Sequence, residues 1–378
     1  MKYGVIVYSN TKNIGDDIQS YAASKLLPQV DYYIDREQMD IFRPLENEPV
    51  NTIMNGWFMY NKLAWPVSPC INPLYISMHF WKHDALGIGS DFLDEFGRED
   101  LCAHGPVGCR DTETRQMLEE KGIPTWLSGC VTMTLKPIYP KTEGGYICLV
   151  NVSERLEKWV RTRYPDEKFI VVDQEAENMV RQEADWAERF ANVEKLLTLY
   201  QNAKFVFTTR LHCALPCLAL GTPVVLVSQQ GIAETGRFDG LRQYVRCAAE
   251  EDLLTGNAVY NLQSPEPNSE EFRRCANIIT ERVTAFVEAN RICTPELRAR
   301  FDRYDSEWVK RAEWKNRQLY SLSRSAIQRW NENAAWLNEL QAAKDWNANK
   351  VQELENRLRR EHAQIEKAKT LLHFLKRK

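Results

Sequence analysis

Short apolar runs alternate with amphipathic stretches along most of the chain. Residues 3–8 are a continuous apolar run that ends in SNTKNIGDDIQS, a polar loop entering a helix. Beyond residue 145 the alternation is regular. YICLVNV, KFIVVDQ, KFVFTTR and TPVVLVS read as buried strands, with SERLEKWVRTRYP, DWAERFANVEKLLTLYQNA and LHCALPCLALG as helices between them. Strands alternating with helices predict a mostly parallel sheet covered on both faces. The first half repeats the pattern more loosely. GPVGCRDTETRQMLEEKGIP reads as strand end, loop, helix and turn, and WLSGCVTMTL as a short strand. Residues 31–100 are rich in aromatics, Pro and Gly and read as loops that carry side chains into a cleft. The expected fold is α/β, with two doubly wound Rossmann-like domains facing a cleft.

KPIYPKTEGG at 136–145 has the Pro and Gly content of a linker. It places the domains at 1–138 and 139–293. From about Thr294 Gly vanishes and Pro occurs only at 295, so 294–378 reads as a helical tail. From Leu337 a heptad runs to the end. Its a positions are Leu337, Lys344, Val351, Leu358, Ile365 and Leu372; its d positions are Leu340, Asn347, Leu354, Glu361, Ala368 and Leu375. Apolar residues at most of them, with charged e and g neighbours, predict a coiled coil and a homo-oligomer. The alternative is one long helix packed back on the body. The terminal KAKTLLHFLKRK is basic and amphipathic and reads as a solvated helix end or a peripheral contact with an anionic membrane.

Composition narrows the picture. A formal charge of −3 gives no reason to expect nucleic acid. Ten cysteines in 378 residues, none in a CxxC pair, argue against a disulfide scaffold and a zinc site. Cys213 and Cys217 read as small apolar residues on one helix face. No apolar run approaches the roughly 20 residues of a membrane helix, and the N-terminus lacks the h-region of a signal peptide. The expected location is cytoplasmic, with the inner face of the membrane as an extension of that reading.

Four constellations carry candidate chemistry. In TTRLHCALPCLALG, Arg210 and His212 stand between two apolar runs, where a strand turns into a helix. A helix N-terminus favours an anion, arginine adds a bidentate contact, and histidine adds a phosphate contact or a proton. The bland alternative is an Arg–Asp pair beside a packed His. In GCRDTETR, Arg110 and Asp111 occupy a similar junction, with Thr112 or Thr114 as candidate caps. The alternative there is that Asp111 caps and Arg110 pairs with a carboxylate. In NIGDDIQS, Gly15 permits a tight turn, and Asp16 and Asp17 begin a helix; helix capping and dipole effects account for one of those acids. His79, in INPLYISMHFWKH, is a lone His in an apolar strand, for which a satisfied core position is the plain reading.

Together, NIGDDIQS, NGWF, WPVSP, SMHF, PVGCRDTET, LSGCVTMTL and TTRLHCALPCLALGTPVV, in this order across roughly residues 1–245, resemble the polysaccharide pyruvyl transferase family. The RLH with its apolar helix and G-x-P-V-V is the most specific piece. SGCVT at 128–132 stands where many members carry a D-P-A-like element. The resemblance implies a fold similar to B-type glycosyltransferases. It also implies transfer of the pyruvyl group of phosphoenolpyruvate to two hydroxyls of a glycan sugar, with phosphate released. No cofactor is expected beyond phosphoenolpyruvate as co-substrate. By this resemblance Arg210, Leu211 and His212 bind the donor on the 139–293 side, Arg110 assists, and the Gly-Asp element maps to Gly15 and Asp16 on the acceptor side.

The chemistry requires protonation of a methylene carbon, attack by a hydroxyl, and stabilisation of an oxocarbenium-like state. His212 is the candidate acid, and Asp16 or Asp17 the candidate base. Trp57, Phe58, Trp65 and His79 are candidate acceptor contacts, with core packing as the alternative for the aromatics. Two rival functions use the same features. One is a nucleotide-sugar-dependent glycosyltransferase of the same fold, and the other a non-catalytic coiled-coil assembly factor in glycan biosynthesis.

Overall fold

The computed structural model describes residues 1–58, 65–80, 93, 96–142, 144–176, 179–180, 184–228 and 238–375. The first apolar run becomes β1 (Lys2–Val7). It lies in a parallel sheet with β2 (Tyr32–Asp35), β3 (Val50–Phe58), β4 (Ile71–Phe80), β5 (Val107–Cys109) and β6 (Thr125–Leu127), in the order β2-β1-β3-β4-β5-β6. The stretch expected to be loops therefore supplies β2 and the two long strands β3 and β4. These two are almost wholly buried. A parallel strand covered on both faces shows no polar alternation, so VNTIMNGWF offers no period to read. Conversely, only Thr125–Leu127 of WLSGCVTMTL is strand, and Val131–Thr134 forms a 3₁₀ turn.

The second sheet contains β7 (Tyr146–Val150), β8 (Lys168–Val172), β9 (Phe205–Thr208), β10 (Val224–Ser228) and β11 (Arg246–Ala249), ordered β11-β10-β9-β7-β8 and parallel throughout. The helices that matter to the site are α1 (Ile14–Ser24), α2 (Phe96–Ala103), α3 (Thr112–Glu120), α4 (Glu154–Arg163), α5 (Trp186–Asn202) and α6 (Leu211–Leu220). Each of α1, α3, α4 and α5 begins at a side-chain cap, from Asn13, Asp111, Ser153 and Asp185 in turn. Such caps contribute about 1 kcal/mol each and fix where the chain leaves the strand.

The two sheets share one core. Val5 and Ile53 from the first pack in the same buried cluster as Cys148 and Val206 from the second, with α1, α5 and α6 between them. Directed bonds cross the same seam. Ile14 N donates to Gln174 O at 3.1 Å, and Tyr21 Oη to Glu194 Oε1 at 2.7 Å. Tyr33 stacks on Trp186 with ring centroids 5.7 Å apart.

After α7 (Glu250–Thr255) and α8 (Phe272–Ala289), the chain returns to the first sheet through α9 (Pro295–Asp302). Asn51 Nδ2 donates to Asn290 O at 2.8 Å, and Arg300 Nη1 to Ile71 O at 2.7 Å. Arg300 Nη2 also reaches Asp100 Oδ1 at 3.1 Å, and Arg311 Nη1 reaches Val67 O at 2.7 Å. Residues up to Ala312 thus form one compact unit, and Glu313–Lys378 form another. The second unit belongs to α10 (Tyr304–Leu375), a single helix. Its heptad residues Leu337, Leu340, Val351, Leu354 and Leu358 are exposed. The side chains of Ile365, Ala368, Leu372 and Leu375 lie outside the described residues. No described helix is long and apolar enough to cross a membrane.

Candidate active site

Ligand sites of parallel sheets form beyond the carboxyl ends of strands. Here both sheets contribute to one place. A cavity of about 440 Å³ is lined by Asn13, Asp16 and Gln19 of the α1 region, Trp57 near the end of β3, and Arg110 just after β5. Asn151, Gln174, Thr209, Arg210, Leu211 and His212, which follow β7, β8 and β9, complete it together with Phe238. A second cavity of about 500 Å³ adjoins it and shares Asn13, Asp16 and Trp57. Its further lining includes Tyr8, Lys12, Asp35, Arg36, Glu37 and Glu175.

Arg110 is only 4% exposed, yet it is poorly paired. Its Nη1 reaches Gln19 Oε1 at 3.4 Å, and its Nε lies 3.7 Å from Asp111 Oδ2. Nε has no hydrogen-bond partner among the described residues. A buried guanidinium in that condition carries an unmet electrostatic demand at the cavity wall. Asp111 itself caps α3, accepting from Thr114 N at 2.9 Å, so neither Thr112 nor Thr114 is the cap. Its other oxygen lies 2.6 Å from His79 Nδ1. Burial is the largest influence on Asp111 and raises its pKa. The His79 ring bond, Arg110 and the Thr114 amide outweigh it and hold the carboxyl below its usual range. Burial, helped by the Arg110 charge, pushes the His79 pKa down, against the opposing pull of Asp111.

Arg210 is the N-cap residue of α6 and brings no side-chain cap bond. Its guanidinium, 30% exposed, meets Glu175. Leu211 is buried in the shared core, while the backbone leaves helical geometry at His212 (φ −81°, ψ 18°). Gln174 Nε2 spans from Tyr200 Oη at 3.0 Å to His212 O at 3.4 Å. From the other sheet, α1 presents Gly15 to His212. A Cβ there would lie 3.1 Å from His212 Cβ and 3.3 Å from Nδ1. The N-terminal ends of two helices thus meet at this cavity, which suits an anion.

Asp16 and Asp17 part company. Asp16 is half-buried on the shared wall, with Oδ2 accepting from Thr11 Oγ1 at 2.6 Å and Oδ1 from Gln19 Nε2 at 3.4 Å. Burial raises its pKa, although Thr11, Arg36 and Arg110 oppose the rise. Asp17 points the other way and lines neither cavity. Its oxygens take Arg189 Nε at 2.9 Å and Nη2 at 2.6 Å, which corrects its candidacy as a base.

Of the candidate acceptor contacts, only Trp57 reaches the cavities. Neighbouring residues of a strand face opposite ways, so Phe58 turns into the first sheet's core, fully buried with Phe80 and Trp65. Trp65 is likewise a core residue, 1% exposed. His79 is buried against Asp111 and sets its ring edge-on to Trp57 at 5.9 Å, so it supports the wall rather than lining it. Gly56, one residue earlier, has φ +113°, and a Cβ there would collide with Tyr8 Oη at 1.6 Å. SGCVT is a joint. Ser128 Oγ accepts from Ser77 N at 3.0 Å and donates to Cys109 O at 3.0 Å, tying β4 to β5 below Arg110.

Gln19, Asn151, Gln174, Arg36 and Glu175 were not anticipated. Gln19 is one turn from Asp16 on α1, and the others lie at strand ends, as Arg210 does. Among the described residues no cluster of three or more His, Cys, Asp or Glu is placed to hold a metal. Cys213 and Cys217 are buried in the core, and burial keeps the Cys217 thiol well above its usual pKa.

A model of the family described as polysaccharide pyruvyl transferase matches residues 13–231. No curated protein sequence matches the chain. Several solved structures align with it. MnaA from S. aureus, solved with UDP, is 12% identical, with 76% of this chain and 97% of that one covered and a TM-score of 0.43. A putative UDP-N-acetylglucosamine 2-epimerase from Listeria monocytogenes is 13% identical, covering 77% and 98%, with a TM-score of 0.40. The E. coli heptosyltransferase WaaC with ADP is 12% identical, covering 76% and 100%, with a TM-score of 0.33. The family match spans more than half of the chain and includes every residue lining the first cavity except Phe238. The chain belongs to the polysaccharide pyruvyl transferase family and is an enzyme.

Proposed function

We propose that this enzyme transfers the pyruvyl group of phosphoenolpyruvate to two hydroxyls of one sugar, in a surface polysaccharide or its lipid-linked precursor. The observation that carries the reading is Arg110. It is a buried, under-paired guanidinium facing the same cavity as Arg210 from the opposite sheet. A donor with a phosphate at one end and a carboxylate at the other needs two cations on two supports. Arg210 and the α6 N-terminus take one group, and Arg110 takes the other.

The donor's methylene carbon gains a proton and becomes a methyl group. The adjacent carbon is attacked by a first sugar hydroxyl, which loses its proton. A second hydroxyl then displaces phosphate, its proton leaving with the phosphate, and a cyclic ketal closes. His212 touches the phosphate and supplies the proton, and Asp16, on the wall between the cavities, takes the hydroxyl proton. The second cavity holds the acceptor, with Trp57 against a sugar face.

Calorimetric titration with phosphoenolpyruvate and with a panel of nucleotide sugars tests this reading. Phosphoenolpyruvate should bind, and phosphate should appear only when a sugar diol is added. Binding of a nucleotide sugar with none of phosphoenolpyruvate would replace pyruvyl transfer with glycosyl transfer. The exposed heptad stripe of α10 supports self-association as a second, separable property.

A further inference from the structure

Arg210 does not stand open. Its Nη1 and Nη2 donate to Glu175 Oε1 and Oε2 at 3.1 and 2.6 Å, a two-point grip on a carboxylate. That grip occupies the Nη1–Nη2 edge of the guanidinium, which an incoming anion must take over to gain a bidentate hold there, while Nε has no hydrogen-bond partner among the described residues. Arg210 lines the first cavity and Glu175 the second, so the pair bridges the boundary between them.

The turn that carries Glu175 is fixed. Glu175 N donates to Asp173 Oδ1 at 2.9 Å, and Asn151 Nδ2 donates to the same oxygen at 2.5 Å. Gln174 is held through its side chain by Tyr200 and through its carbonyl by Ile14 N. Only the Glu175 side chain remains to move, and it is 47% exposed. A partly solvated ion pair is weak, because water screens it and two long side chains must be ordered. An anion carrying both a phosphate and a carboxylate, backed by the α6 N-terminus and Arg110, would outcompete it.

We propose that Glu175 is an internal counter-ion that the donor evicts, and that its freed carboxylate turns into the second cavity to accept a hydrogen bond from an acceptor hydroxyl. This rests on Arg210 as the donor-binding residue. Glu175 is then a positioning residue. It raises the threshold for anions at Arg210, and it completes the acceptor side only after the donor has arrived. Binding is ordered, donor first, and the return of Glu175 to Arg210 assists release of phosphate.

The full-length protein and Glu175→Gln are titrated by calorimetry with phosphoenolpyruvate and, separately, with UDP, and the wild-type complex is crystallised. Glu175→Gln should bind the anion about two- to fivefold more tightly, a gain that loss of a merely structural contact does not give. In the wild-type complex Glu175 should no longer touch Arg210. In steady state the variant should show a raised acceptor KM and a random binding order, and Glu175→Asp should restore the order in part. Equal anion affinities, or Glu175 still paired with Arg210 in the complex, overturn the exchange. If only UDP binds, and more tightly to the variant, the exchange stands and pyruvyl transfer falls. If neither anion binds either protein, both fall.

Discussion

Arg189 on α5 holds Asp17 on α1 through two nitrogens, at 2.9 and 2.6 Å, with both side chains 2% exposed. The same Arg189 donates to Tyr8 O at 3.1 Å and lies over the Trp186 ring at 4.1 Å. This buried pair joins helices that serve different sheets. Removing one partner strands the other charge, which costs about 3–5 kcal/mol. Asp17→Ala should therefore lower the unfolding free energy by that amount while the surviving folded enzyme keeps its turnover. Asp16→Asn should do the reverse. Denaturant titration alongside activity per folded molecule separates them, and a stable but inactive Asp17→Ala would return Asp17 to the site.

Arg110 should show a different balance. It is buried with little to satisfy it, so replacing it with an apolar residue of similar length removes a desolvated charge. Arg110→Met is expected to leave Tm unchanged or raised and to weaken donor binding by roughly 2–4 kcal/mol. A fall in Tm with donor affinity intact would make Arg110 a structural residue.

The pH profile should carry the mark of Asp16. Burial raises its pKa above the ordinary 3.8. A base works only when ionised, so kcat/KM should fall as pH drops through that raised value, at a pH above the usual aspartate range. Replacing Asp16 with Glu, which can relax toward solvent, should move the acid limb. A profile flat down to pH 4 would assign the base elsewhere.

Gly15 tests the meeting of α1 and α6. A methyl group there lies 2.9 Å from Asn13 Oδ1, the cap oxygen of α1, which must shift, and 3.1 Å from His212 Cβ, which must give by a few tenths of an ångström. Displacements of about 1 Å at a reacting group can cost about 10²-fold. Gly15→Ala should lower kcat severalfold, up to about tenfold, and cost about 1 kcal/mol of stability through the disturbed Asn13 cap. Wild-type kcat in that variant would show that the position of His212 is not critical.

The α10 stripe predicts an oligomer. Leu337, Leu340, Val351, Leu354 and Leu358 are exposed, and each Leu fully buried in an interface contributes on the order of 1.5–3 kcal/mol. Lys344, Asn347 and Glu361 at core positions should weaken the assembly and favour one register. Light scattering should give an oligomer for the full chain and a smaller species for a chain ending at Ala312. A full-length monomer at micromolar concentration would rule out the coiled coil.

What could be read in the sequence divides along physical lines. The second sheet was plain because YICLV, FVFT and VVLVS are short apolar runs between amphipathic helices. Arg210, His212 and Arg110 stood out because a charge beside a buried strand needs a reason. The centre of the first sheet was hidden, since β3 and β4 are buried on both faces and rich in aromatics that resemble loop residues. Side-chain direction was also invisible. Trp57 against Phe58, and Asp16 against Asp17, are neighbours in sequence with opposite surroundings, and only register and helix phase distinguish them. Glu175 gave no signal, because its meaning lies in Arg210, 35 residues away.

Most of the walls of the paired cavities come from residues just beyond β1, β2, β5, β7, β8 and β9, from Asp35 and Trp57 at the ends of β2 and β3, and from Asp16 and Gln19 of α1, while the rest of each strand carries the packing. Adaptation can therefore proceed piecemeal. If the second cavity holds the acceptor, a new sugar preference should come from replacements at Arg36 or Glu37, on the connection after β2, which leave the buried strands and Tyr8 in place. Laboratory selection for altered glycan preference should find its gains at that strand-end connection of the first sheet, and should leave the residues after β9 as inherited.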